Sequence, residues 1–463
     1  MEAINNVVLA VSNFLYQPFI LPVILLVGGL YFTIRTGGIQ IRMFKECLRV
    51  VTEKPKTENG ISSFGALMVS TASRVGTGNI IGVATAVICG GAGAIFWMWL
   101  SAFLGGASAF IESTLAQIYK KKNADGSSYG GPAFYMRDAL NARWLGVIFS
   151  VLIIFTYAIG YNMLAAFNLQ STFQVFSFYG DRTPAIIGVI GGAHRLVKVT
   201  GVLVPVMGII YVAISLIVLV LNIGNVPAMF AGIFKNAFDF QAIFGGFAGS
   251  CIMFGIKRGL YSNEAGMGSA PNAAATADVS HPVKQGLVQM LSVFIDTMLI
   301  CTATAFMCLS TNIIPQNYLG ADGSADAAGY VQAATASTLG KFGPIFIAFA
   351  MCLFAFTTLI GNYSYCEGCI RFIIQRDIKP GELLAFRLFA TALVFVGSIA
   401  SAGLVWNTAD MMQGLMVITN MPTILLLGGT AVKCLRDYQK QKAEGKDPHF
   451  VAADIELKQA TDF

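Results

Sequence analysis

The sequence predicts an all-α, multi-pass membrane protein with about eleven transmembrane helices. Of its 463 residues, 56% are hydrophobic and 12% charged. An average soluble domain carries about 25% charged residues. Mean hydropathy is +0.68, and the apolar residues gather in stretches near the roughly 20 needed to cross a bilayer. So few charges could not cover a soluble protein of this size. The composition excludes a disordered chain, a soluble enzyme and a nucleic-acid binder. The net charge of +6 does not argue for nucleic acid, because the basic residues sit in short runs between apolar stretches.

The first candidate span is 18–36, followed by a basic loop with Arg42, Lys45, Arg49, Lys54 and Lys56. The second, 62–90, is interrupted by Arg74-Val75-Gly76-Thr77-Gly78-Asn79. The third, 92–118, ends at Lys120-Lys121-Lys122, and a loop with Tyr129-Gly130-Gly131-Pro132 leads to a span at 144–172. A short stretch at 184–193, a span at 200–222 and a Gly-rich one at 240–256, ending at Lys257-Arg258, come next. A polar loop over 259–284 precedes spans at 285–310, 342–370, 383–402 and 409–433. Residues 1–436 thus read as one transmembrane domain, and 437–463 as a charged tail disordered at its end.

Charge orients the spans. Of 30 Lys and Arg, only Arg182, Lys235 and Lys341 fall in loops on one side, and Arg74 lies within a span. The remaining 26 share the other side, which the positive-inside rule makes cytoplasmic. This puts the N-terminus outside and the C-terminus in the cytoplasm. The start Met-Glu-Ala has no basic region typical of a cleavable signal peptide. Most of the nine cysteines lie in apolar stretches and read as small apolar residues. Cys366-x-x-Cys369 lacks the second pair or nearby His of a zinc site.

Two stretches do not read as simple spans. In 62–90, clustered glycines beside Thr77 and Asn79 favour local unwinding, because Gly costs about 1 kcal/mol in a helix against Ala. The second is 240–256, with Gly245, Gly246, Gly249 and Gly255. Close helix packing through small residues is the alternative for both. Unwound backbone at membrane depth survives only where protein buries it or it lines a cavity. Interrupted helices at matching positions of two halves point to a transporter binding site. With 18–36 as an extra helix, the interruptions fall in the first and sixth of the ten that remain.

The runs VGTGNIIGVATAV (75–87), GAIFWMWL (93–100), YGGPAFY (129–135), RGLYSNEAGMGSAP (258–271) and FIDTMLICTAT (294–304) resemble the alanine or glycine:cation symporter family over nearly the whole chain. The resemblance implies a LeuT-type fold of two inverted five-helix repeats, here 62–222 and 240–436, with one extra N-terminal helix. It implies uptake of small neutral amino acids with sodium as the coupled ion, across the bacterial inner membrane and by a monomeric transport unit. A proton-coupled or sodium-independent transporter of the same fold is the alternative. A channel is disfavoured because no pore-lining charge ring or filter repeat is present. An intramembrane enzyme needs a nucleophile and a base in a span, whereas His194, His281 and His449 fall in loops or the tail. Family members are longer at 184–193, so this chain has either an unusually short helix or a deletion there.

A zwitterionic amino acid needs donors for its carboxylate and acceptors for its ammonium. Unwound backbone at Gly76, Thr77 and Gly78 would offer amides, as glycine-rich anion sites do, with Asn79 beside them. Freed carbonyls around Gly249 to Met253 would take the ammonium. The resemblance places a sodium between the carbonyls of Ala72 and Val75 and the hydroxyl pair Thr357-Thr358. The alternative for that pair is bonding back to carbonyls one turn earlier. Buried charges cost a few kcal/mol at the centre of a bilayer and are mostly functional or paired. Arg74 is expected to pair with Glu112 at an inner gate. Asp296 is expected to face Asn79 or orient its own helix, and Glu264 to gate or anchor the inner loop. In the family's run N-x-V-Q-x-N, Ala165 stands in the place of Gln and Phe167 in that of the second Asn. Ala165 would enlarge the pocket for a longer substrate such as glutamine, unless that helix face only packs against a neighbour.

Overall fold

The computed structural model describes residues 2–16, 20–55, 57, 60–123, 126–186, 200–239, 250–321, 323–457 and 462–463. Among them, seven helices are long and apolar enough to cross a membrane, or nine if each of two bent pairs counts as one span. The remaining expected spans, 184–193 and 240–256, fall largely on 187–199 and 240–249, outside the described residues. So does the question of a shortened helix.

The helices are α1 Glu2–Tyr16, α2 Ile20–Arg35, α3 Phe44–Val51, α4 Ser63–Arg74, α5 Ile81–Gly90 and α6 Gly93–Ile118. After a short hairpin, Lys121–Lys122 with Ser128–Tyr129, come α7 Pro132–Leu140 and α8 Arg143–Ser171. The chain continues with α9 Thr200–Leu221, α10 Val226–Ala237, α11 Cys251–Asn263 and α12 Ala270–Ala274. The last helices are α13 Pro282–Leu309, α14 Ala327–Leu339, α15 Phe342–Ile374, α16 Pro380–Ile399 and α17 Ala402–Ala443.

Helix α6 is the central post, with its second half buried from Gly105 to Ile118. Small residues let neighbours cross it closely, since no side chain holds the backbones apart. A Cβ on Gly29 of α2 would lie 2.9 Å from the Leu104 backbone, and one on Gly286 of α13 would lie 2.2 Å from Thr114 Oγ1. The faces that look outward carry exposed Ile, Leu, Phe and Val, as lipid-facing helices do. Two helices are not α-helical throughout: Phe155–Tyr161 within α8 and Phe294–Cys301 within α13 form π-helical turns.

The charged tail expected at 437–463 is structured as far as residue 457, and its expected disordered end falls largely on 458–461, outside the described residues. Helix α17 has 42 residues, about 63 Å at 1.5 Å per residue, so it outruns the roughly 30 Å hydrocarbon core. Beyond it the chain folds back. The Phe450 amide donates to the Ser280 carbonyl at 3.0 Å, and Lys284 pairs with Glu53 at 2.8 Å and Asp447 at 3.1 Å. Tyr438, Phe450 and Ile455 are buried. The charged composition hid these few apolar anchors.

Candidate functional site

The expected first interruption is present. Helices α4 and α5 meet at a 61° bend. Val75 and Gly76 are extended, and Thr77–Asn79 make a single 3-10 turn. The Asn79 side chain replaces the missing helix bonds by accepting from the Gly76 amide at 2.8 Å. The amides of Thr77 and Gly78, and the carbonyls of Ala72 and Val75, have no hydrogen-bond partner among the described residues.

The other side of Asn79 is anchored to the π-helical turn of α13. Its Nδ2 donates to Asp296 Oδ1 at 2.7 Å and Ser262 Oγ at 3.0 Å. Ser262 and Thr297 donate to Asp296 Oδ2 at 2.5 and 3.0 Å, and Thr304 donates to the Asn79 carbonyl at 2.7 Å. Asp296 is fully buried and faces Asn79, one of its two expected arrangements. Three donors hold its carboxylate and, through Asn79, the shape of the break.

Opposite the break lies α15. A Cβ on Gly76 would sit 2.1 Å from Thr358 Oγ1, so only glycine lets the backbone come this close. The hydroxyl pair divides. Thr357 Oγ1 bonds back to the Leu353 and Phe354 carbonyls, each at 3.1 Å, whereas Thr358 Oγ1 is buried without a partner. From α8, Asn168 donates to Thr77 Oγ1 at 3.1 Å, and its own Oδ1 is buried and unpartnered. The family pattern puts its polar residue at Phe167, and the structure puts the polar side chain one residue on, at Asn168. Ala165, one turn earlier, is fully buried in a cluster with Ala166, Leu359 and Val394.

Most of the second expected interruption, 240–249, lies outside the described residues, and extended Ser250 precedes α11; among the described residues a further break follows α11 at Glu264–Ser269. Gly249 lies outside the described residues. Met253 sits in the first turn of α11, its amide held by the capping hydroxyl of Ser250 at 3.2 Å, and its carbonyl belongs to a regular helix. The chain leaves α11 through left-handed Glu264 at φ 55°, Gly266 at φ 79° and Gly268 at φ 86°. Arg74 pairs across the two breaks with Glu264 at 3.8 Å, not with Glu112. Glu112 accepts instead from Asn420 at 2.8 Å and from the Gly266 amide at 3.4 Å. Asn420 also donates to the Gly266 carbonyl at 3.0 Å. Glu264 accepts from Ser269 at 2.6 Å and so anchors the loop, as expected.

Lys257 and Arg258 do not end a span on the basic side. They lie inside α11, whose Gly255 and Gly259 pack against Ala94 and Met98 at the Gly93 end of α6, away from Lys120. Arg258 is buried, pairs with Asp410 at 2.7 Å and lies 4.0 Å over the Trp406 ring. Tyr261 covers Gly78, where a Cβ would lie 2.3 Å from its ring, and it packs edge-on to Tyr161 and Trp406. The first break is therefore shut from water on this side.

The match to known proteins is extensive. Residues 1–452 fit the sodium:alanine symporter family. The chain belongs to that family. It is a membrane transporter, not an enzyme. It is 44% identical over 459 residues to the amino-acid carrier protein AlsT of Bacillus subtilis, covering 97% of this chain and 96% of that one. It is 42% identical to the probable sodium/glutamine symporter GlnT of the same species, over 97% and 94% of the two chains. It is 35% identical to the sodium/alanine symporter AgcS of Methanococcus maripaludis, over 95% and 99%. A crystal structure of a mutant Eremococcus coleocola manganese transporter superposes with a TM-score of 0.50 at 13% identity, covering 88% of this chain and 86% of that one. That likeness concerns the fold alone.

Proposed function

We propose that this symporter family member carries a small neutral amino acid together with sodium across the bacterial inner membrane, by alternating access in a LeuT-type frame of 5+5 helices plus one N-terminal helix. The N-terminus lies outside, the C-terminus is cytoplasmic, and one chain is the transport unit. One observation carries the reading: unpartnered polar atoms converge on a break buried from water. A buried polar group without a partner costs about 1–3 kcal/mol, so a cargo that supplies partners is favoured there. The Thr77 and Gly78 amides suit a carboxylate. Thr358 Oγ1 and the carbonyls of Ala72 and Val75 suit sodium, a hard cation that prefers oxygen. The helix-bound carbonyl of Met253 leaves Asn168 Oδ1 as the better acceptor for the ammonium group.

Uptake of labelled alanine into proteoliposomes tests this. A sodium gradient should drive accumulation, and a proton gradient alone should not. Accumulation without sodium would overturn the coupling and leave the proton-coupled alternative. The packing of Ala165 against Ala166, Leu359 and Val394 supports the alternative that this helix face only meets a neighbour, and competition by glutamine decides between that and a pocket for longer substrates. Glutamine should compete in the wild type and compete less in Ala165→Gln, and equal competition in both would remove Ala165 from the pocket.

A further inference from the structure

A cavity of about 440 Å³ lies at the Lys120 end of the bundle, between the short hairpin, α7 and the end of α15. Lys122, Arg137, Arg371 and Arg376 line it against one carboxylate, Asp377. The arginines are held from behind. Arg137 pairs with Asp138 at 2.5 Å, Arg371 with Glu367 at 3.1 Å and Arg376 with Glu382 at 2.6 Å. The Arg137 guanidinium also lies over the rings of Phe134 and Phe372, at 5.2 and 5.5 Å. These forks are preorganised, and planar guanidinium groups match phosphate oxygens. Donors remain free: Arg371 Nε is buried without a partner, and Lys122 makes no ion pair among the described residues. None of these groups takes part in the transport site.

We propose that this cavity binds the phosphate headgroup of an anionic phospholipid. Its position favours a lipid over a soluble anion. Gln375, which lines the cavity, accepts from Arg143 at 3.1 and 3.2 Å in its favoured amide orientation. Directly after Arg143, α8 exposes Trp144, Ile148, Val151 and Phe155, one helical stripe at spacings of three and four. An exposed Trp at the start of an apolar stripe marks the headgroup level of a bilayer. A headgroup in the cavity therefore has its acyl chains beside a lipid-facing stripe. Basic pockets between spans on the positively charged side attract anionic lipids. The bound lipid clamps the end of α15, the helix that carries Thr358.

The test uses the full-length protein in detergent, with short-chain phosphatidylglycerol, short-chain phosphatidylcholine or inorganic phosphate added. Phosphatidylglycerol should raise the thermal midpoint and remain bound in native mass spectrometry. Phosphatidylcholine should do neither. Lys122→Gln, an exposed change, should weaken phosphatidylglycerol binding about fivefold, the contribution of one interfacial cation. Arg371→Gln with Arg376→Gln should abolish it, while Lys433→Gln, outside the cavity, should leave it unchanged. Equal stabilisation by inorganic phosphate would assign the cavity to a soluble anion and overturn the lipid. Equal retention of phosphatidylglycerol by Lys122→Gln and the wild type would overturn the site, even if the double variant failed to fold.

Discussion

The two helix breaks face each other but are finished in opposite ways. The first, Val75–Asn79, is short, and the amides of Thr77 and Gly78 and the carbonyls of Ala72 and Val75 lack partners among the described residues. The second, Glu264–Ser269, is longer, contains three left-handed residues and is held by side chains from three other helices: Arg74, Glu112 and Asn420. An unwound segment with free backbone groups is equipped to bind. One whose groups are already satisfied is equipped to hold a shape. The contrast fits the proposed function, with recognition at the first break and scaffolding at the second.

That contrast can be broken by substitution. The largest effect should come from Gly78→Val, whose side chain has no room beneath Tyr261. Substrate binding should fall by about 100-fold, near the upper cost of overpacking, while the protein still inserts and purifies. Normal binding by a folded variant would make Gly78 a packing residue. Next, Asn420→Ala should act on stability. It strands Glu112 and Tyr135, whose hydroxyl donates to Asn420 at 2.5 Å. A loss of about 1–3 kcal/mol is expected in denaturant unfolding, with the substrate dissociation constant unchanged. A loss of affinity without a loss of stability would reverse the division of roles.

Within the first break, Thr358→Ala should raise the sodium half-saturation about fivefold, the worth of roughly 1 kcal/mol. Thr357→Ala should do much less, since that hydroxyl is spent on its own helix. Equal effects would dissolve the distinction between the two. The smallest effect lies apart from both breaks, at the start of α13, where His281 contacts Asp437 at 3.1 Å. Burial holds the His281 imidazole below its ordinary value of 6.5, and Asp437 pulls the other way. The unfolded chain therefore binds the extra proton first. This contribution to stability is present above pH 6.5 and is lost as the pH falls below it. His281→Asn should flatten the acid side of the stability profile, and an unchanged slope would remove His281 from that account.

The spans and the first break were legible because hydropathy and clustered glycines act locally. Gly76, Thr77, Gly78 and Asn79 need no distant partner to read as an interruption, whereas the carbonyls of Ala72 and Val75 enter only through the family resemblance. The interruption expected at 240–256 falls largely outside the described residues. The break at Glu264–Ser269 carries a different signal, Gly266 and Gly268 at positive φ inside a run that reads as a loop. Charge misled where partners are remote. Arg258 resembled a helix end because Asp410 is 152 residues away. Glu112 was matched to Arg74 when its actual partner, Asn420, is 308 residues away. Thr357 and Thr358 are chemically identical neighbours, and only the helix's rotation tells the bonded one from the free one.

The π-helical turn at Phe294–Cys301 means that α13 carries one residue more than an α-helix of the same length requires. Such a turn is an insertion kept in place. Deleting a single residue there would remove no functional group if Leu299 were chosen. It would let the turn close to regular α geometry and leave Thr304 in phase with the Asn79 carbonyl. The same deletion in a regular stretch of α13, between the turn and Thr304, would rotate Thr304 by about 100° and swing it away from that carbonyl. The π-turn is therefore a place where this helix tolerates a change in count, and the regular turns beside it are not.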